Sequence, residues 1–331
     1  MKKILIFGAS GNVGSYVFEY ARSFFDSNDF EIIGSGRRKT DFFEKRGMNY
    51  YSVDIEKAED FDILPQKDVY AVILLAAQIP SYMDEYKPEK YLKSNIIGTF
   101  NVLEYCRRVK ADRILFSTTV FDVSLSAGPG KVLKPDQELN FSYKGDHAIY
   151  VISKNTSIEL IKHYYAEYGL KYFIFRFPTI YNYSPYHYYY PNGKKTKRPI
   201  YVMIENAMDG KPIELWGDPN YSKDMVYVYD CAQMICKAVL VKRENGFYNV
   251  GTGIPVTMQQ QIEAIIDVFS PKNKKSKIVY LPKKPSGGGF LMDVSNAVQE
   301  LGYSPMYDVK KLFMEYKKEM NLGRFDELRK K

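Results

Sequence analysis

Apolar residues are distributed along this chain in two alternating rhythms. Ile4, Leu5, Ile6 and Phe7 form an unbroken apolar run, the pattern of a strand buried on both faces, and from Asn12 to Phe25 apolar positions recur at helical spacing. The alternation continues: Phe30 to Ile33, Tyr70 to Ala76, Arg113 to Ser117 and Phe173 to Arg176 read as strands, Asn95 to Arg108 and His147 to Tyr168 as helices. Strands alternating with helices predict an α/β chain built on a doubly wound parallel sheet. The rhythm breaks at residues 181–201, YNYSPYHYYYPNGKKTKRPIY, after which short strands, loops and helices mix. That change predicts a smaller C-terminal domain over the C-terminal edge of the sheet, where such folds bind ligands. The expected division gives residues 1–178 to the sheet domain, with 228–254 returning to it, and residues 179–227 and 255–331 to the smaller one. Gly287, Gly288 and Gly289 mark a flexible loop within the latter.

Composition narrows the classes. With 331 residues, 45% hydrophobic and 26% charged, the chain suits a globular protein rather than a disordered one. It has no apolar run of membrane-spanning length, and its first strand begins directly after Lys3, which predicts a cytoplasmic protein with no membrane partner. Cys106, Cys231 and Cys236 make no metal-ligand spacing with His147, His163 and His187, so neither a metal site nor a disulfide framework is expected. The formal charge of +8 is spread along the chain without a basic helix bearing base-stacking aromatics. A small polyanion such as a nucleotide accounts for it better than a nucleic acid does.

The first strand runs into the first helix through Gly8, Gly11 and Gly14. Gly8 permits a tight turn, Gly11 lets the backbone approach a phosphate, and Gly14 lets the helix pack closely on the strand. Triple glycines also occur in plain turns, but framed by a buried strand and an amphipathic helix they predict a dinucleotide whose pyrophosphate lies at the helix N-terminus. After the second strand stand Gly36, Arg37 and Arg38, with no acid at the place where a carboxylate would hold the adenosine ribose. An arginine there pairs with a 2′-phosphate, so NADP(H) is favoured and NAD(H) remains possible; the alternative is a solvated arginine pair.

Tyr150 and Lys154 are four apart on the long predicted helix and share a face. An ammonium beside a phenol favours the phenolate, which makes tyrosine a usable acid and base. The same spacing joins Tyr86 to Lys90, Tyr190 to Lys194, Tyr280 to Lys284 and Tyr307 to Lys311, so spacing alone selects nothing. Position does: Tyr150 follows the strand ending in Ser117, Thr118 and Thr119, and in a parallel sheet a hydroxyl from Ser117 or Thr118 can meet the phenol at the crevice the strand ends share.

The series GASGNVG at 8–14, VDI at 53–55, LLAAQ at 74–78, NIIGT at 95–99, FSTTV at 116–120, YVISK at 150–154, RFPTIY at 176–181, KDMVYVYD at 223–230 and YNVGTG at 248–253 spans nearly the whole chain. In this order it resembles the extended short-chain dehydrogenases/reductases, in the group of NAD(P)-dependent nucleotide-sugar epimerases, dehydratases and reductases. The resemblance implies a Rossmann sheet with a smaller C-terminal substrate-binding domain. It implies that Ser10, Gly11, Asn12, Val13 and Gly14 cradle the pyrophosphate, that Asp54 and Ile55 contact the adenine, and that Ala76, Ala77 and Gln78 line the ribose and phosphates. Asn95 joins the cofactor set, with a helix-surface amide as its alternative; Phe177, Pro178 and Thr179 flank the nicotinamide, and Lys154 hydrogen-bonds its ribose. Ser117 or Thr118 and Tyr150 would act on the sugar C4, and Tyr181, Asn182 and Lys223 would bind a nucleotide-diphosphate sugar. A homodimer is implied too, through the two long helices with Val151, Ile158 and Tyr165 on its face.

Departures from the family pattern shape the functional expectation. In the 4,6-dehydratases an Asp-Glu pair follows the catalytic hydroxyl, whereas here Thr119 and Val120 stand in its place, which argues against dehydration. Lys223 replaces an arginine, and Asn182 replaces a common glycine. His187, in the tyrosine-rich segment, is a second acid or a solvent-facing loop residue. The leading expectation is a nucleotide-sugar epimerase that transiently oxidises C4. The alternatives are an NADPH-dependent reductase of a keto-sugar nucleotide and a non-catalytic NADP(H)-binding protein.

Overall fold

The computed structural model describes residues 1–83 and 85–329, the side chains of Tyr82, Asp146 and Asn192 apart. Seven strands form one parallel sheet: β1 Lys2–Phe7, β2 Phe30–Gly36, β3 Asn49–Ser52, β4 Val69–Leu74, β5 Arg113–Thr119, β6 Lys171–Phe177 and β7 Asn245–Asn249. Their order across the sheet is β7-β6-β5-β4-β1-β2-β3. The order reverses between β1 and β4, which opens a crevice at the C-terminal ends of those strands. Ile4 to Phe7 and Ala71 to Leu74 are fully buried, as unbroken apolar runs between two helical layers require.

The helices α1 Gly14–Phe24, α2 Gly98–Val109, α3 Asp146–Tyr168, α4 Pro199–Met208, α5 Val228–Leu240, α6 Met258–Phe269 and α7 Val309–Leu322 cover the sheet and build the remainder. One core holds Leu5, Phe7, Val72 and Leu74 with Val102 and Leu103 of α2 and Ile158 and Ile161 of α3. A second, on the opposite face, joins Ile4 and Ile6 to Tyr16 and Val17 of α1 and to Met234 and Ile235 of α5, and runs on into the C-terminal part of the chain. Beyond β6, short strand pairs replace the large sheet: residues 222–224 pair with 255–257, and 213–216 with 278–281. Asp224 ties this region together, its buried carboxylate accepting from Thr252 N and Oγ1, Gly253 N and Met292 N. Among the described residues no helix is long and apolar enough to cross a membrane.

Two expectations about helix faces change. Val151 and Ile158 lie 1% and 6% exposed, packed inward, so they do not form an outward face, whereas Tyr165 is partly exposed with its hydroxyl donating to Glu244. Apolar residues turned outward include Leu92, Ile97, Phe100, Ile152 and Tyr168. The predicted helix from Asn95 is also composite, a π-helical stretch over Leu92–Ile97 leading into α2.

Candidate active site

Gly8 adopts φ +91°, a left-handed conformation, and a Cβ there would lie 2.7 Å from Ala76 N. Gly11 donates its N–H to the Gly8 carbonyl at 2.8 Å. At Gly14 a Cβ would come 2.0 Å from that same carbonyl, so the glycines fold the turn back on itself and seat α1 against β1. The N–H groups of Asn12, Val13 and Gly14 find no hydrogen-bond partner among the described residues. A row of unpaired donors at the start of α1, over a turn with no room for side chains, fits an anion such as a pyrophosphate.

The surroundings of the end of β2, expected to meet the adenosine, differ from expectation in one respect. Arg37 and Arg38 do follow β2 with their side chains outward, and the Tyr50 hydroxyl holds the Gly36 and Arg38 carbonyls at 2.9 Å each. An acid nevertheless stands nearby: Glu56 lies 4.0 Å from the Arg37 guanidinium and accepts from the Ser94 hydroxyl. It comes from the loop after β3 rather than from the end of β2. Asp54 accepts from Glu56 N at 3.2 Å in a tight turn, while Ile55 is buried against Gly98.

Behind the crevice, Asn95 is a buried clamp and not a surface amide. Its Oδ1 accepts from Gln78 N at 2.8 Å, and its Nδ2 donates to the Gln78 carbonyl and to Ser153 Oγ. Ser153 in turn donates to the Tyr150 carbonyl at 2.7 Å, and Ser157 donates to the Asn95 carbonyl at 2.7 Å. The loop after β4, Ala76 to Gln78, is thereby stitched to the helix that carries Tyr150 and Lys154.

The side chains of Tyr150 and Lys154 are both buried, 8% and 2% exposed. The phenol ring packs 5.9 Å from the Tyr91 ring, and the Lys154 ammonium lies 4.1 Å over the Phe116 ring. Burial pushes the phenol up to about 12, opposed by a hydrogen bond with the Thr119 side chain and reinforced by the charge of Asp122. Burial likewise pushes the Lys154 ammonium down to about 7. Desolvation thus dominates both groups.

The hydroxyl that meets Tyr150 is therefore Thr119, two residues beyond Ser117 and one beyond Thr118. Thr119 ends β5, and its Oγ1 also accepts from Phe121 N at 3.3 Å, capping the helical turns that begin at Val120. Ser117 is buried within the strand, and Thr118 Oγ1 is buried with no hydrogen-bond partner among the described residues. The strand runs through Thr119, as its Ser117, Thr118 and Thr119 ending predicts, and the side chain beside Tyr150 is that of its last residue rather than of the two before it. Close by, Asp122 and Arg176 form a buried ion pair at 2.9 Å, and Arg176 further donates to the Lys134 carbonyl and Asn249 Oδ1.

Pro178 and Thr179 follow the end of β6, so the crevice runs from the glycine turn at β1 past β4 to the ends of β5 and β6. Of the expected substrate contacts, Tyr181 is buried with the Lys223 ammonium 5.7 Å from its ring. Asn182 points elsewhere: its amide pairs reciprocally with the Asn12 amide, at 3.0 and 3.2 Å. His187 is half-buried, stacked 4.1 Å from the Tyr201 ring with Glu205 3.6 Å away, and burial lowers its pKa.

The model of the NAD dependent epimerase/dehydratase family matches residues 4–251. The dTDP-glucose 4,6-dehydratase of Salmonella typhimurium is 26% identical, with 92% of this chain and 88% of that protein covered. Among solved structures, the UDP-glucose 4-epimerase of Thermotoga maritima with UDP-glucose superposes with a TM-score of 0.74 at 23% identity, covering 96% of this chain and 99% of the other. The UDP-N-acetylglucosamine 4-epimerase of Bacillus cereus gives a TM-score of 0.74 at 22% identity, covering 97% and 100%. These two structures agree with the present one in fold.

Proposed function

Because the chain belongs to the NAD dependent epimerase/dehydratase family of enzymes, we propose that it is a nucleotide-sugar 4-epimerase using a pyridine dinucleotide. The observation that carries this reading is the buried Tyr150 phenol beside the Thr119 side chain, at the strand end on the same side of the sheet as the glycine turn, with Lys154 one helical turn away. The dinucleotide, when bound, supplies a nicotinamide carbon that accepts and returns a hydride. Gly11 to Gly14 would hold its pyrophosphate, the loop Ala76 to Gln78 its ribose, and Pro178 and Thr179 its nicotinamide.

In this reading the Thr119 hydroxyl orients the sugar oxygen and Tyr150 moves its proton. As the phenolate it would take the proton while the carbon is oxidised, and as the phenol so formed it would give that proton back while the keto carbon is reduced. Burial, which pushes this phenol up to about 12, favours the protonated form that the returning step uses and opposes the phenolate that the accepting step needs. Dehydration finds no support in the residues after Thr119: Val120 and Phe121 carry no acid, and Asp122 is committed to Arg176.

Arg37 and Arg38 favour NADP(H), with Glu56 as a counterweight that holds Arg37. A reductase of a keto-sugar nucleotide would use the same groups, and the arginine pair is what favours it as the second reading. A homodimer is part of the proposal, formed through the outward Ile97, Phe100 and Ile152, which are 50%, 42% and 36% exposed. The test is incubation of the purified protein with either dinucleotide and a panel of nucleotide sugars, with product separation and nicotinamide absorbance. Epimer formation with no net change in cofactor supports the proposal; one NADPH consumed per product replaces it with the reductase.

A further inference from the structure

Asn182 replaces a glycine of the family pattern, and in the fold it meets Asn12, 170 positions earlier, inside the glycine turn. Besides the reciprocal amide pair, Asn182 Nδ2 lies 3.4 Å from the Asn12 backbone carbonyl. A second donor reaches that carbonyl from the far end of the chain: Arg329 Nη2 at 3.2 Å, which also donates to the buried Ser15 hydroxyl at 2.7 Å. Arg329 is held in place by its own segment, where Phe325 and Leu328 are buried in the core shared with α1. Phe325 packs 4.8 Å from the Tyr16 ring, and the Arg329 guanidinium lies 5.7 Å from the Phe325 ring.

A trans peptide is planar, and its carbonyl and N–H point in opposite directions. Fixing the Asn12 carbonyl therefore aims the Val13 N–H the other way. That N–H is one of the three left without a partner at the start of α1. The guanidinium also polarises the peptide it grips, which strengthens the N–H as a donor to an anion.

We propose that Arg329 and Asn182 are positioning residues for the dinucleotide: together they clamp the Asn12 carbonyl and so pre-set the Val13 N–H toward the pyrophosphate. The inference rests on reading the glycine turn as the dinucleotide site. It gives the C-terminal segment a task in cofactor binding that its sequence does not announce. It also links the glycine turn to the chain following β6, since Asn182 Nδ2 and the Tyr16 hydroxyl both donate to the Tyr183 carbonyl. Pre-ordering a loop raises affinity by lowering what must be ordered on binding.

The test measures dissociation constants of NADPH and NADH by nicotinamide fluorescence for wild type, Arg329→Gln, Arg329→Lys, Asn182→Ala and the Arg329→Gln/Asn182→Ala pair, alongside thermal unfolding of each ligand-free protein. Arg329→Gln is expected to weaken binding about tenfold, Arg329→Lys to recover part of the loss, and the double variant to lose less than the product of the two single losses, because both residues grip one carbonyl. Affinities within twofold of wild type overturn the clamp, as does a lowered unfolding temperature with unchanged affinity, which is the signature of a purely structural contact. Wild type that binds neither dinucleotide overturns the underlying reading instead.

Discussion

Replacing Lys154 with methionine removes a buried charge while keeping an unbranched side chain of similar length, and the structure sets the size of the effect. Burial brings this lysine from its ordinary 10.5 down to about 7. At 1.36 kcal/mol per pKa unit, keeping the ammonium charged inside the fold costs about 5 kcal/mol. The unfolded chain holds the proton up to its ordinary pKa, so below pH 7 both states are protonated and the cost is fully present. Between pH 7 and 10.5 only the unfolded chain retains the proton, and wild-type stability rises with pH. Methionine has nothing to titrate. Lys154→Met is therefore expected to be more stable than wild type at pH 6, by up to about 5 kcal/mol, with the advantage shrinking by roughly 3 kcal/mol on going to pH 9. Urea unfolding of both ligand-free proteins at pH 6, 7.5 and 9 reads this directly. Activity should be lost in the same variant, as expected where a functional group is held at a cost in stability. A stability difference independent of pH, or a methionine variant less stable than wild type at pH 6, would refute the reasoning.

Other perturbations test separate parts of the structure. Gly14→Ala would place a Cβ 2.0 Å from the Gly8 carbonyl, so a destabilisation of about 3 kcal/mol or more with loss of dinucleotide affinity is expected from calorimetry. Asp122→Ala strands the buried Arg176 guanidinium, 2% exposed, and should cost about 3–5 kcal/mol in denaturant unfolding; a cost under about 1 kcal/mol would mean that water reaches Arg176. Glu56→Gln releases Arg37 and should shift dinucleotide preference several-fold toward NADPH, whereas Arg37→Ser with Arg38→Ser should shift it toward NADH; unchanged ratios of the two dissociation constants would remove both residues from the 2′ position.

The first βα unit was legible in the chain because its signals are local: an apolar run, three glycines and a helical rhythm within two dozen residues. Strand β3, Asn49–Ser52, escaped notice because its sequence NYYS is short and only half-buried. The hydroxyl beside Tyr150 was expected at Ser117 or Thr118 and lies at Thr119, since a serine and two threonines in a row give no local mark of which one stands nearest the helix. Asn95 was identified as a candidate, yet its role as a clamp depends on Ser153, 58 positions away. The Asn12–Asn182 pair and the reach of Arg329 across 317 positions are products of tertiary packing alone, and no periodicity encodes them. Val151 and Ile158 failed as interface positions for the converse reason: a helix apolar on several sides does not say which side its own sheet takes.

Reversible hydride transfer at one sugar carbon is the central claim, and an isotope reads it most directly. A nucleotide sugar carrying deuterium at C4 should, when turned over in ordinary water, give the epimer with the deuterium still on C4, because the hydride leaves to the dinucleotide and returns from it. Replacement of that deuterium by solvent hydrogen would mean that the carbon loses a proton rather than a hydride, and would contradict the roles assigned to Tyr150, Thr119 and the glycine turn.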